Sequence, residues 1–178
     1  MGRKNYLIEG GSGTGKTAVC NELRRRGYQA INGDRELAYQ GDPETGEPLA
    51  GITGVSVHHH HIWRVDKVKA LIADQREGLT FFCGGSRNLS KFIGLFDAVF
   101  VLEVDLATLH QRLDGRPEDE WGRRQEEREL IERLHQTREE IPPGGITIDA
   151  TAPLPRVVDD ILSRVHRAGP AQSPAGPA

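Results

Sequence analysis

A chain of 178 residues with 37% hydrophobic and 28% charged side chains carries enough apolar material for one packed domain and lacks the composition of a disordered protein. A formal charge of −3 offers no general basic face to nucleic acid, and two cysteines are too few for a disulfide framework or a zinc-knuckle spacing. No apolar run approaches the ~18 residues of a membrane-spanning helix, and no signal-peptide pattern is present, so the cytoplasm is the expected compartment, with neither membrane nor nucleic acid as a partner and Cys20 and Cys83 as reduced core thiols.

Strand and helix signals alternate along the chain. Residues 6–9 (YLIE) form a short apolar strand that runs into a glycine cluster. Residues 16–26 (KTAVCNELRRR) have helical spacing at Val19 and Leu23 and stop before Gly27, a natural C-terminal cap. YQAIN (28–32) reads as a second strand, and residues 40–56, rich in Gly and Pro, as a loop. Residues 62–76 put Ile62, Val65, Val68, Leu71 and Ile72 on one helical face. LTFFC (79–83) and DAVFVLEV (97–104) are further strands; Asp105 caps a helix running to Leu113, GITID (145–149) is a fifth strand, and VVDDILSRVH follows Pro153 and Pro155 as a closing helix. This order predicts an α/β fold: three α/β/α layers around a five-stranded parallel sheet, as a single domain over 1–167. The tail 168–178 has nothing to bury and is expected to be disordered.

Residues 10–17 read GGSGTGKT, with four glycines in the first six positions. Gly10-x-x-x-x-Gly15-Lys16-Thr17 lies strand-before and helix-after, as a phosphate-binding loop requires. Such a loop turns the backbone N–H groups of Gly11, Ser12, Gly13, Thr14, Gly15, Lys16, Thr17 and Ala18 around phosphate oxygens at the positive end of a helix. Lys16 would neutralise the β- and γ-phosphates, and the Thr17 hydroxyl would bind Mg²⁺. A competing pattern, Gly13-x-Gly15-x-x-Ala18 with Asp34 ending the next strand, matches a dinucleotide fingerprint, but that fold has no use for a complete Lys-Thr loop.

From this loop onward, roughly residues 4–166 resemble the small P-loop kinases, the group that includes shikimate kinases, gluconate kinases and nucleoside monophosphate kinases. AINGD (30–34) resembles the strand that ends in an acceptor-side aspartate, which makes Asp34 the group that orients a hydroxyl and takes its proton. Asn32 stands where the family often has a second acid. FFCGGSRN (81–88) resembles the family's glycine motif, implying acceptor contacts from Gly84, Gly85, Ser86 and Arg87, with Ser86 in place of a third glycine. RLDGRPEDEWGRR (112–124) resembles an arginine-bearing lid at about 114–124, with Arg116 as the catalytic arginine and Arg112 covering the adenine or its phosphates; Arg123 and Arg124 are reserves. IDATAPLP (148–155) resembles the loop that borders adenine, through Ala152 and Pro153. Arg64 corresponds by position to an arginine that grips an acceptor carboxylate, and the acceptor-binding segment spans about 35–78.

The resemblance implies transfer of the γ-phosphate of Mg·ATP to a hydroxyl of a small polar metabolite or natural product, by a monomer or homodimer. A nucleoside monophosphate kinase is the alternative within the class, and it would need Arg35, Arg64 and Arg87 clustered. A nucleotide-binding regulatory module is the alternative outside it. His58–His61 form a run of four histidines whose adjacent side chains share neither one helix face nor one strand face, which favours pocket or surface lining over a metal site.

Overall fold

The computed structural model describes residues 3–168; the tail expected to be disordered lies, apart from Ala168, outside the described residues. Five strands form one parallel sheet: β1 (Lys4–Gly10), β2 (Gln29–Asn32), β5 (Leu79–Cys83), β6 (Ala98–Glu103) and β7 (Ile146–Asp149), in the order β2-β5-β1-β6-β7. These are the five strands read from the sequence. β1 lies between β5 and β6. In a dinucleotide-binding sheet the second strand would sit beside the first, so this order removes the dehydrogenase alternative.

Side chains alternate across the sheet as the two-residue period requires. On one face Tyr6, Ile8, Phe81, Phe100 and Leu102 pack under α1 (Lys16–Arg25), α5 (Leu106–Asp114), α6 (Gln125–Thr137) and α7 (Leu154–Arg167). On the other, Leu7, Ile31 and Phe82 meet Val68 of α4 (Val65–Ala73) together with Trp63 and Phe92. Burying both faces explains why these strands read as near-continuous apolar runs.

Local signals set the helix ends. Asp105 accepts the Thr108 N–H at 2.6 Å and caps α5. After α1, Gly27 takes φ 87° and donates to Arg24 O, while the Tyr28 N–H returns to Leu23 O. α7 starts before the expected VVDD stretch, with Pro155 tolerated in its first turn.

The segment between β2 and β5 departs from expectation. After the short helix α2 (Gly33–Glu36) comes an antiparallel pair, β3 (Ala38–Gln40) and β4 (His61–Trp63), linked by a loop and the four-residue helix α3 (Ser56–His59). The helix expected from residue 62 begins at Val65 instead, because Ile62 pairs with Tyr39 and Trp63 with Ala38. Trp63 is fully buried and stacks on Phe92 at 5.7 Å. Ring burial and cross-strand pairing outweigh helical periodicity there.

Candidate active site

The carboxyl ends of β1, β2 and β5 open into a cleft of about 820 Å³, whose wall includes residues 9–18, Asp34, His58, His61, Gly85, Arg87, Arg116, Trp121 and Glu140. Parallel strands place ligand crevices at this end of the sheet.

The glycine cluster forms the floor. Gly13 takes φ 85°, and a Cβ there would lie 2.8 Å from Leu109 Cδ1, so the loop can pack on α5 only with glycine at this position. Thr14 is buried, its N–H and hydroxyl both donating to Gly11 O at 3.3 and 2.8 Å. Lys16 Nζ arches back over the loop to Gly10 O (2.5 Å) and Gly11 O (2.9 Å). The first-turn N–H groups of α1 have no intrahelical acceptor and end at this loop, a donor set suited to phosphate. Thr17 is exposed on the cleft wall, with its hydroxyl available to a cation held by those phosphates. Among the described residues no group of three or more His, Cys, Asp or Glu side chains is placed to hold a metal ion.

Asp34 stands across from Lys16. Its Oδ1 accepts from His61 Nε2 at 3.0 Å and from the Gly85 N–H at 3.3 Å. Burial acts to raise its pKa, but the His61 hydrogen bond and the Lys16 charge outweigh burial and hold it below the ordinary aspartate value. The carboxylate is therefore ionised and one-third exposed toward the cleft. Beneath it lies the Trp63 ring: a Cβ on Gly33 would come within 2.0 Å of Trp63 Cζ2, and one on Gly84 within 2.7 Å.

Arg116, in the segment expected to act as a lid, has two partners. Arg116 donates to Ser12 Oγ at 2.9 Å and to Trp121 O at 2.7 Å; burial lowers its pKa, yet a guanidinium so far above neutrality stays charged. Trp121 in turn donates from Nε1 to Gly54 O (2.9 Å) and stacks on His58 at 5.6 Å with 16° between planes. Arg116 and Trp121 thus link the phosphate loop to Gly54 and His58.

Several expected site residues lie elsewhere. Ser86 is buried and accepts the Trp63 N–H at 3.1 Å, bracing β4 against the loop after β5. Gly84 is buried, and its N–H is spent on Ile8 O. Arg64 lies over the Tyr39 ring, 4.6 Å from its centroid, and Arg35 is exposed outside the cleft wall. Arg112 bonds Gly13 O (3.3 Å) and Ala150 O (2.8 Å), tying the phosphate loop to the turn after β7. Ala152 and Pro153 are not among the residues lining the cleft.

Other cleft residues escaped the sequence reading. Glu9, just before the loop, is 3% exposed and accepts the Gly10 N–H at 2.9 Å. Burial pushes its pKa up to about 7 against the lowering pull of Lys16. Glu140 accepts from His58 Nε2 at 2.7 Å and pairs with Arg87. Arg138 ends α6 in the left-handed region (φ 56°) and pairs with Glu103. The histidine run straddles a helix-to-strand turn, so His58 and His61 both reach the cleft while His59 is exposed. A charged residue before a glycine loop was the only sequence signal available for Glu9.

No protein-family model matches the chain, and no curated protein matches it in sequence. Solved structures do match. A shikimate kinase from Acinetobacter baumannii in complex with shikimate superposes with a TM-score of 0.58 at 18% identity, covering 94% of this chain and 96% of that one. A sugar kinase from Janibacter sp. gives 0.56 at 17% identity, covering 93% and 96%, and a gluconokinase from Sinorhizobium meliloti 0.55 at 20%, covering 92% of each. The fold is that of the small P-loop kinases, as the phosphate loop and strand order imply.

Proposed function

We propose that the protein is an ATP-dependent phosphotransferase that moves the γ-phosphoryl group of Mg·ATP to a hydroxyl of a small polar compound. The observation that carries this reading is the pairing, in one cleft, of the Lys16 phosphate loop with an ionised carboxylate, Asp34, fixed on its far side. Gly11 to Ala18 hold the triphosphate and Lys16 neutralises it; when bound, Mg²⁺ on the Thr17 hydroxyl supplies further charge neutralisation. Asp34 orients the acceptor hydroxyl. As the acceptor O–P bond forms, the bond from the γ-phosphorus to the bridging oxygen breaks, ADP leaves with that oxygen, and the acceptor proton passes to Asp34. Arg116, already directed at Ser12, offers charge to the equatorial oxygens from a lid at about 114–124. Gly85 and Arg87 border the acceptor, together with an acceptor-binding segment that spans about 35–78.

The monophosphate alternative has less support, since Arg35, Arg64 and Arg87 do not converge: one is exposed, one lies on Tyr39 and one is paired with Glu140. The test is ADP release from Mg·ATP over a panel of alcohols, sugars, sugar acids, nucleosides and nucleoside monophosphates, each against a blank without acceptor. Stimulation by a hydroxyl compound, abolished in Lys16→Ala, is the expected result. A response to no acceptor, with ATP still bound, would favour a nucleotide-binding module.

A further inference from the structure

Every arginine on the cleft wall is already engaged. Arg116 is bonded to Ser12 and Trp121, Arg138 is paired with Glu103, and Arg87, two residues past the glycine whose N–H holds Asp34, is paired with Glu140. The last pair is built in. Arg87 and Glu140 are 18% and 25% exposed, His58 donates to the same Glu140 oxygen, and His58 is itself clamped against Trp121. The backbone fixes it further, with the Arg87 N–H on His61 O at 2.9 Å, next to the imidazole that holds Asp34.

From this arrangement we infer that the acceptor is an uncharged hydroxyl compound, and that Glu140 enforces the choice by occupying Arg87. The inference rests on the phosphotransferase reading and adds the acceptor's charge to it. A carboxylate or phosphate on the acceptor would have to share Arg87 with Glu140, whose charge already offsets that guanidinium, and Asp34 adds a second like charge to the same cleft wall. A neutral compound meets no such opposition, and Val57, Trp121 and Ile141 offer it apolar contact. Glu140 is thus a specificity residue that works by exclusion, and removing its charge releases Arg87 to acidic acceptors.

The experiment compares acceptor-dependent ADP release from Mg·ATP in the wild type and in Glu140→Gln, using matched sets: neutral sugars and nucleosides, the corresponding sugar acids, and the corresponding sugar phosphates and nucleoside monophosphates. In the wild type, kcat/KM for the best neutral acceptor should exceed that of its acidic counterpart by at least about tenfold, and Glu140→Gln should narrow that ratio by about tenfold. A wild type that prefers acids or monophosphates overturns the inference and leaves the phosphotransferase reading intact. An unchanged ratio in a Glu140→Gln protein with native thermal unfolding also overturns it. Should that variant fail to fold, the wild-type preference alone decides. Stimulation by none of the sets, with Mg·ATP bound, removes both readings.

Discussion

Asp34 has one oxygen held and the other free. His61 and Gly85 both engage Oδ1, so in the proposed transfer Oδ2 would receive the hydroxyl proton. Asp34→Asn keeps the shape and removes the base, so kcat should fall by roughly 10²–10⁴-fold while the Kd for Mg·ATP stays within a few-fold. Equal losses in both would make Asp34 part of nucleotide binding instead. His61→Ala should lower kcat less, by about tenfold, because the Gly85 N–H still steadies the carboxylate; steady-state kinetics with any competent acceptor measures both. Lys16, Thr17 and Asp34 could be proposed from the sequence because local motifs carry them, although the strand expected to end in Asp34 stops at Asn32 and Asp34 itself lies in α2. His61 and Glu140 could not be, since their partners lie 27 and 82 residues away along the chain, at Asp34 and His58. Spacing within a segment carries no signal for such pairs.

At the scale of elements, α2 and the β3–β4 pair form a bracket that carries Asp34 and His61 on one rigid ring. Trp63 fills the space directly under Gly33 and is 0% exposed, so it has no room to retreat from an added methyl group. Gly33→Ala should destabilise the protein by about 1–3 kcal/mol and lower Tm by roughly 2–4 °C per kcal/mol. An unchanged melting curve would mean that the bracket is looser than its packing implies. The proposed lid is tied by Trp121, and Trp121→Phe keeps a ring against His58 while losing the bond to Gly54 O. A loss of about 1 kcal/mol in closure should appear as a several-fold rise in acceptor KM. The bracket was hidden from sequence reading for a physical reason: strands of three residues are too short to show alternation, and Ile62, Val65 and Val68 imitate a helix that starts later. The five sheet strands were readable because burial on both faces makes them apolar throughout.

For the molecule as a whole, Glu9 sets an unusual pH dependence. Its folded pKa is raised from 4.5 to about 7, chiefly by burial. A carboxyl raised in this way binds its proton more tightly folded than unfolded. Its contribution is therefore most favourable at low pH, declines as pH rises from about 4.5 to 7, and above that is a penalty of about 3 kcal/mol. Asp34 and Glu140 act oppositely: their folded pKa values are depressed, so their stabilisation is present at neutral pH and lost as acid protonates them. Glu9→Gln should stabilise the protein at pH 8 and make little difference at pH 4, as measured by urea unfolding at each pH; equal effects at both would show Glu9 charged when folded. The two tryptophans divide the molecule into a fixed and a responsive part, since Trp63 is sealed in the core while Trp121 spans the lid, His58 and Gly54. If the proposed lid closes, the protein carries an intrinsic optical probe of that motion: emission from Trp63 should form a constant background, and any change on adding nucleotide or acceptor should come from Trp121 and vanish in Trp121→Phe.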